Sequence, residues 1–318
     1  MTTERKKTGV ENFLSSYFSN FGKFTLLNLI FFVPLALSFA IFFFLCKFLA
    51  PQAIMLILPL GVILAAPFYS GVVVVSKGIY FGEITFGILG EFLKAVKENF
   101  KAYILHGVVA YIAFVGCYHG IVIYKHLAST SPVFYVMFFI SLVLALFLLF
   151  MLFGVTLMSA FFDLKLKDVY KNSLLMTFGE LKLNLFATLG IIVSLAVLSL
   201  PLMLFGILSN FWGETISVVL VSVYAVLLVA LILPSVVSSI VTAAVYPDMK
   251  RVITGEAKAN IEAIRKEEQE ETESKKTPDF SDIDKDSLMK SGGEYVFYNG
   301  KMIKKSLILE ELEEREEK

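Results

Sequence analysis

Cysteine and histidine are scarce in this chain. It contains two cysteines and three histidines among 318 residues, which does not predict a disulfide framework or a metal centre of ordinary ligand number. The phosphate-loop pattern G-x-x-x-x-G-K-[ST] is absent, as are the G-x-S-x-G and H-E-x-x-H motifs of hydrolases and metalloproteases. The sequence therefore predicts neither an enzyme nor a cofactor-binding protein.

Charged residues are missing from long stretches. Hydrophobic residues make up 57% of the chain and charged residues 18%, against about half and about a quarter in soluble domains. Six apolar windows are long enough to cross the roughly 30 Å hydrocarbon core of a bilayer. They are Phe24–Cys46, Ala53–Ser76, Tyr103–Tyr124, Val133–Phe161, Leu183–Leu208 and Ile216–Val245. The predicted fold class is an all-α membrane protein with six transmembrane helices in a lipid bilayer.

The spans contain essentially no Asp, Glu, Lys or Arg. Buried carboxylates for proton- or sodium-coupled transport are therefore not predicted. Hydroxyl groups could still line a solute path, although in spans they more often bond the preceding helical turn. The candidates are Ser70, Ser76, Thr156, Ser159, Ser235, Ser238, Ser239 and Thr242. Prolines at 34, 59, 67, 201 and 234 predict kinks.

Lysines and arginines alternate between the connectors and so predict the orientation. One side carries Arg5, Lys6, Lys7, Lys23, Lys77, Lys94, Lys97, Lys101, Lys165, Lys167, Lys171 and Lys182. The other side offers only Lys47 and Lys125. Because cationic connectors are retained in the cytoplasm, both termini are predicted to be cytoplasmic.

A weak internal repeat accompanies this alternation. Lys23, Lys101 and Lys182 each precede an odd-numbered span and are spaced by 78 and 81 residues. Gly71-Val72 with Ser76 resembles Gly154-Val155 with Ser159 in the even spans. We predict three tandem helical hairpins, each preceded by a cytoplasmic amphipathic connector helix. Chance similarity between apolar segments is the alternative.

The connector Ile88–Lys101 is amphipathic. Its apolar residues recur at three- and four-residue steps, with lysines on the other face, and the stretch around Tyr17 repeats the pattern. A helix of this kind is predicted to lie flat in the inner interface of the membrane. There it would either pack under the bundle or dock a partner protein. The candidate docking residues are Phe92, Lys94, Lys97, Phe100, Lys101, Lys167, Lys171 and Asn172.

Five polar residues each allow two structural interpretations. Glu83, Asp163 and Asp248 follow the even spans and are predicted to cap the next helix; an acidic ring at a pore mouth is the alternative. His106 and His119 lie in the third span and are predicted to form hydrogen bonds within the bundle or near an interface. A functional cluster with the neighbouring Cys117 is the less favoured reading.

The chain divides by composition into three parts. Residues 1–250 form the predicted transmembrane domain, 251–293 an acidic helical and flexible linker, and 294–318 a cytoplasmic unit. In that last part, two apolar runs flank Asn299-Gly300 and predict a β-hairpin. A short acidic helix is predicted after Ser306.

The connectors also carry a family resemblance. Asp163–Glu180 contains a leucine- and lysine-rich strip followed by Asn172-Ser173-Leu174-Leu175. It resembles the cytoplasmic segment of the YesL-like family, and Phe92–Lys101 resembles that family's segment before the third span. This family comprises integral membrane proteins of Gram-positive bacteria, often linked to carbohydrate uptake. The resemblance extends from residue 10 to residue 250 and implies a bacterial cell membrane, but no catalytic or binding residues.

Two functions follow as expectations. The first is an accessory or scaffold component of a membrane transport system, with transporter subunits as partners at the cytoplasmic connectors or tail and with no nucleic acid. The second is a small-solute permease or channel formed by the bundle itself.

Overall fold

The computed structural model describes residues 9–84, 87–255, 284–290, 292, 294–298 and 301–316. The chain forms two compact units, Met1–Arg251 and Val252–Lys318. The helices of the first unit are α1 (Gly9–Ser19), α2 (Phe21–Leu49), α3 (Ile54–Ile57), α4 (Gly61–Phe81), α5 (Ile88–Ala128), α6 (Val133–Phe161), α7 (Leu166–Gly179), α8 (Leu181–Ile207), α9 (Ser209–Trp212), α10 (Glu214–Leu231) and α11 (Leu233–Ile253).

Six helical segments among the described residues are long and apolar enough to cross a membrane. They are Phe21–Leu49, Pro51–Phe81, Ile88–Ala128, Val133–Phe161, Leu181–Ile207 and Glu214–Leu231. A helix satisfies all of its central backbone groups internally, so such segments can enter hydrocarbon without exposing unpaired N–H or C=O groups. The prediction of a multi-pass membrane protein with six spans is confirmed.

The third span begins earlier than the sequence predicted. Ile88–Ala128 is one continuous helix of 41 residues, about 60 Å long at 1.5 Å per residue. The segment Ile88–Lys101 is therefore continuous with the third span and is not a separate helix. The physical reason is that the range contains no proline to end the helix, and its first turns pack along α4.

The contact between α4 and the start of α5 depends on Gly71. A Cβ atom at this position would lie 2.4 Å from Cδ2 of Phe92, so only glycine leaves room for the ring. Beside it, Ser70 Oγ donates a hydrogen bond to the carbonyl of Ala95 at 3.2 Å. Ile84, before α5, lies against Gly78, which shows that α5 runs back along α4.

The helix α7 makes the same kind of contact with α6. A Cβ atom at Gly154 would lie 3.0 Å from Ser173 Oγ. Further along, the rings of Phe178 and Phe147 are 5.1 Å apart. Because the residue number rises along α7 while it falls along α6, the two helices are antiparallel. This connector packs against the preceding span through a buried face.

The last span is interrupted. α10 ends at Leu231 and α11 begins at Leu233, with Ile232 between them at φ −132° and ψ −54°. Pro234 explains the break, because its nitrogen cannot donate and its ring collides with the carbonyl one turn earlier. The prolines at 34, 67 and 201 lie inside continuous helices. Proline 59 lies in a 3-10 turn, Leu58–Leu60.

The second unit is small. Its described residues form α12 (Lys285–Lys290), β1 (Tyr295–Tyr298), β2 (Lys301–Lys304) and α13 (Lys305–Glu316). The strands pair antiparallel, with Tyr295 opposite Lys304, so the predicted strand pairing is confirmed. Leu288 and Ile308 form its buried core with Val296, Leu309 and Leu312. The predicted turn at 299–300 and the acidic segment at 256–276 lie outside the described residues.

Candidate functional site

A buried polar cluster joins α5, α6 and α7 around His106, which is 3% exposed. Its Nδ1 lies 2.8 Å from Tyr170 Oη, and its Nε2 lies 2.7 Å from Ser159 Oγ. Tyr103, one turn earlier on α5, donates from Oη to the carbonyl of Thr156 at 2.7 Å. Both ring nitrogens of His106 therefore have hydroxyl partners within hydrogen-bond distance.

Two neutral tautomers of His106 fit these partners. Burial raises the pKa of Tyr170, so its phenol stays protonated at neutral pH and can donate to Nδ1, in which case Nε2–H donates to Ser159. In the other tautomer, Nδ1–H donates to Tyr170 and Ser159 donates to Nε2. In either arrangement both ring nitrogens of His106 are satisfied, which is what a buried polar group requires.

A histidine beside a serine can also support nucleophilic catalysis. Ser159 lies inside α6 (Val133–Phe161), whose amide N–H groups are bonded within the helix. Those groups are not free to stabilise an oxyanion at Ser159. The hydrogen bonds of His106 and Tyr103 join α5 to α6 and α7. His119 bonds the carbonyl of Val115 at 2.9 Å, and the prediction that both histidines bond within the bundle is confirmed.

A second polar cluster lies at the break in the last span. In an unbroken helix, the N–H of Ser235 would donate to the carbonyl of Leu231. Here the amide of Asn28, from α2, is inserted between them. Its Nδ2 donates to Leu231 O at 2.8 Å, and its Oδ1 accepts from Ser235 N at 2.9 Å. Asn28, fully buried, replaces the missing helical hydrogen bond.

Helix α1 contacts this cluster through Tyr17. Tyr17 Oη lies 3.0 Å from Ser235 Oγ, and its ring stacks on Phe24 with centroids 4.5 Å apart. Burial raises the pKa of Tyr17, and the hydrogen bond to Ser235 lowers it in part. The neutral phenol therefore holds α1 against α11.

A half-buried cation lies where α4, α6 and α11 meet. Lys77 Nζ is 2.7 Å from Glu83 Oε2. It also lies 5.2 Å from the ring centroid of Phe161 and 5.1 Å from that of Tyr246, within the range of cation–π attraction. The two ring contacts hold the end of α4 against α6 and α11, and the salt bridge joins α4 to the segment before α5.

The acidic residues after the even spans do not act as predicted. α5 begins after Gly87 and α7 after Lys165, in both cases without a side-chain cap. The predicted capping by Glu83 and Asp163 is wrong, because Glu83 instead pairs with Lys77. Asp248 lies inside α11 and pairs with Arg251 at 2.8 Å, so it does not cap a following helix.

The hydroxyls that might have lined a solute path are mostly buried. Ser70, Ser76, Ser235, Ser238, Ser239 and Thr242 are each at most 2% exposed. Thr156 bonds the carbonyl of Leu152 one turn earlier. The hydroxyls of Ser76, Ser239 and Thr242 are buried without a hydrogen-bond partner among the described residues. The six buried hydroxyl side chains are packed against protein atoms.

The candidate docking residues on α5 separate into two groups. Phe92 is 2% exposed against Gly71, so its predicted docking role is wrong and it is a packing residue. The others, Lys94, Lys97, Phe100 and Lys101, are exposed. Large apolar residues lie beside them, with Leu89 at 54% and Leu93 at 55% exposure.

Helix α7 presents a similar surface. Lys167 and Lys171 are exposed, while Asn172 is half-buried. Leu174, Leu175 and Phe178 are exposed at 49%, 60% and 62%. We call these two surfaces the basic-apolar faces of α5 (Leu89, Leu93, Lys94, Lys97, Phe100, Lys101) and α7 (Lys167, Lys171, Leu174, Leu175, Phe178).

Sequence reasoning missed two of the residues that matter most to the clusters. Asn28 could have been found, because a lone amide in an apolar run must find a partner in the bundle. Tyr170 gave no comparable signal, since a tyrosine in a polar connector is ordinary. No family model matches the chain, and comparisons with curated proteins and with solved structures found no match.

Proposed function

We propose that this chain is an accessory or scaffold component of a membrane transport system in a bacterial cell membrane, with both termini cytoplasmic. The observation that carries the proposal is the pair of basic-apolar faces on α5 and α7. Each combines two or three lysines with large exposed apolar residues, on the side of the chain that holds most of its cations. A partner with an acidic and partly apolar surface would be complementary to both faces.

The proposal includes three tandem helical units. Gly71 and Gly154, which correspond in the repeat, each allow the start of the following helix, α5 or α7, to pack closely against the span. Asn28 and His106 both lie five residues after a connector lysine, Lys23 and Lys101, and both are buried polar residues that tie spans together. This correspondence supports repeats in which the connector faces recur on one side of the membrane.

Affinity purification in mild detergent tests the docking role. The full chain and its Lys167→Glu/Lys171→Glu variant are purified from native membranes, and the associated membrane proteins are identified. The control is Lys47→Glu/Lys125→Glu, which reverses two charges on the opposite side. We expect transporter subunits to co-purify with the full chain and with the control variant. They should be lost from the α7 variant, because opposed acidic surfaces repel. A chain that purifies alone under several conditions contradicts the proposal.

The orientation has its own test. In a background lacking Cys46 and Cys117, single cysteines replace Lys171 or Lys125. A membrane-impermeant thiol reagent added to whole cells should label the position of Lys125 and leave that of Lys171 unlabelled. The reverse pattern would place the basic-apolar faces outside the cell and rule out a cytoplasmic partner. The link to carbohydrate uptake depends on the YesL-like resemblance alone.

A small-solute permease is the second candidate, favoured by the broken last span. Discontinuous helices form substrate sites in many transporters. Against it, Asn28 already satisfies the freed backbone groups at the break, and the hydroxyls along α11 are buried. Reconstituted liposomes loaded with radiolabelled sugars discriminate between the candidates. Flux above that of protein-free liposomes would favour the permease.

A further inference from the structure

A crevice of about 620 Å³ lies between α1, α4, α8 and α11. Its walls include Phe13, Tyr80, Phe186, Val193, Ile240 and Ala243. Most of the lining is apolar. The volume lies within the range of roughly 300–1,000 Å³ that is typical of small-molecule sites.

The crevice opens towards the lipid-facing side of α8. Phe186, Leu189 and Val193 line it and are 59%, 57% and 53% exposed. On its inner side, Gly190 approaches Ile240 so closely that a Cβ atom would lie 3.1 Å from Cγ2. α8 therefore touches α11 beside the crevice, and the exposed side chains of α8 form its open side.

Polar side chains also line the crevice. Asn12 and Tyr80 contribute an amide and a phenol to the lining. Lys182 is exposed and lies one helical turn before Phe186, and it lines a shallow groove together with Phe186 and Leu189. A cation therefore lies beside the apolar walls, at the end of α8 that carries the connector lysines.

We propose that this crevice binds one phospholipid, with an acyl chain between α8 and α11 and the phosphate at Lys182. The apolar walls suit a hydrocarbon chain, and the exposed ammonium suits a phosphate oxygen. The crevice opens towards the bilayer, from which a lipid would enter. This site is separate from the basic-apolar faces, so it goes beyond the proposed function.

Native mass spectrometry of the full chain, titrated with phosphatidylglycerol in mild detergent, tests the site. Ala243→Phe and, as a second variant, Ala244→Leu place new side-chain atoms inside the crevice. The controls are Val219→Phe on the lipid-facing side of α10 and Lys171→Gln on α7. We expect a single retained lipid with the unaltered chain and both controls, and none with either filling variant.

The headgroup contact is tested separately. Lys182→Gln should weaken retention about tenfold, the factor for losing one charge-assisted hydrogen bond. Diacylglycerol, which lacks the phosphate, should be retained no better by the unaltered chain than by Lys182→Gln.

Two results would overturn the proposal. The first is equal lipid retention by the unaltered chain and by both filling variants, each shown to be folded by its thermal unfolding. The second is a mass of two chains without lipid, because a second copy of the protein would then be what covers the crevice.

Discussion

Helices α4 and α8 are both apolar spans, yet they are packed very differently. α4 buries ten of its 21 residues, whereas α8 buries two of its 27, Asn184 and Ala187. In a bilayer, apolar surface alone gives helices little reason to associate, since lipid tails are as apolar as leucine. Close association requires small residues that allow backbones to approach. Hydrophobicity therefore inserts both helices, and the distribution of small residues decides which one is enclosed by protein.

The largest expected effect falls on the enclosed side. Gly107→Ala on α5 would place a Cβ atom 2.9 Å from the Cα of Ile63 and 2.8 Å from the Cβ of Ala66. Because a backbone atom cannot rotate away, we expect a loss of about 3 kcal/mol in the free energy of unfolding. The measurement is reversible unfolding in mixed detergent and SDS micelles. Gly116→Ala, on the same helix with open space around it, should lose nothing; equal losses would mean that α4 does not pack closely on α5.

The next effect concerns the break in the last span. Asn28→Ala leaves the carbonyl of Leu231 and the N–H of Ser235 unpaired, and each costs about 1–3 kcal/mol. We expect a loss of about 2 kcal/mol, the lower end of the range for two such groups, by the same unfolding measurement, and increased hydrogen exchange at Ser235. Asn99→Ala is the matched control, because Asn99 bonds only its own helix, at the carbonyl of Ala95. A variant as stable as this control would contradict the bridging role.

A smaller effect is expected at the His106 cluster. Tyr170→Phe removes the hydroxyl partner of Nδ1 and should lower stability by about 1 kcal/mol. The double substitution with His106→Phe should cost less than the sum of the single substitutions, as a double-mutant cycle detects. Tyr135→Phe, at an exposed tyrosine of α6, should change nothing. Full additivity would show that the two side chains do not interact.

The smallest effect is expected on α8. Leu200 is 59% exposed, so Leu200→Ala should change the free energy of unfolding by less than about 0.5 kcal/mol. The measurement is repeated on the protein extracted with its native partners. A loss above 1 kcal/mol only in that preparation would show that a partner covers α8, and the contrast between α4 and α8 would then hold for the isolated chain alone.

The spans could be predicted from the sequence because each is encoded locally, by about 20 apolar residues. The break at Pro234 was encoded in the same way, since proline acts on its own helix. The docking face of α5 was predicted incorrectly at Phe92. Helical periodicity places Phe92 on the same side as Leu89 and Leu93, but it cannot tell which part of an apolar arc faces a neighbouring helix.

The sequence by itself determined that this chain has six membrane-spanning helices and a separate polar tail carrying a strand pair. Apolar length, proline and the alternating apolar pattern of the two strands act over a few residues and require no distant partner. Only the tertiary structure decided that Asn28 completes the broken helix, that His106 joins Ser159 to Tyr170, and that α8 is left largely uncovered. Those contacts link residues more than fifty positions apart, and the packing of whole helices determines which side chains meet.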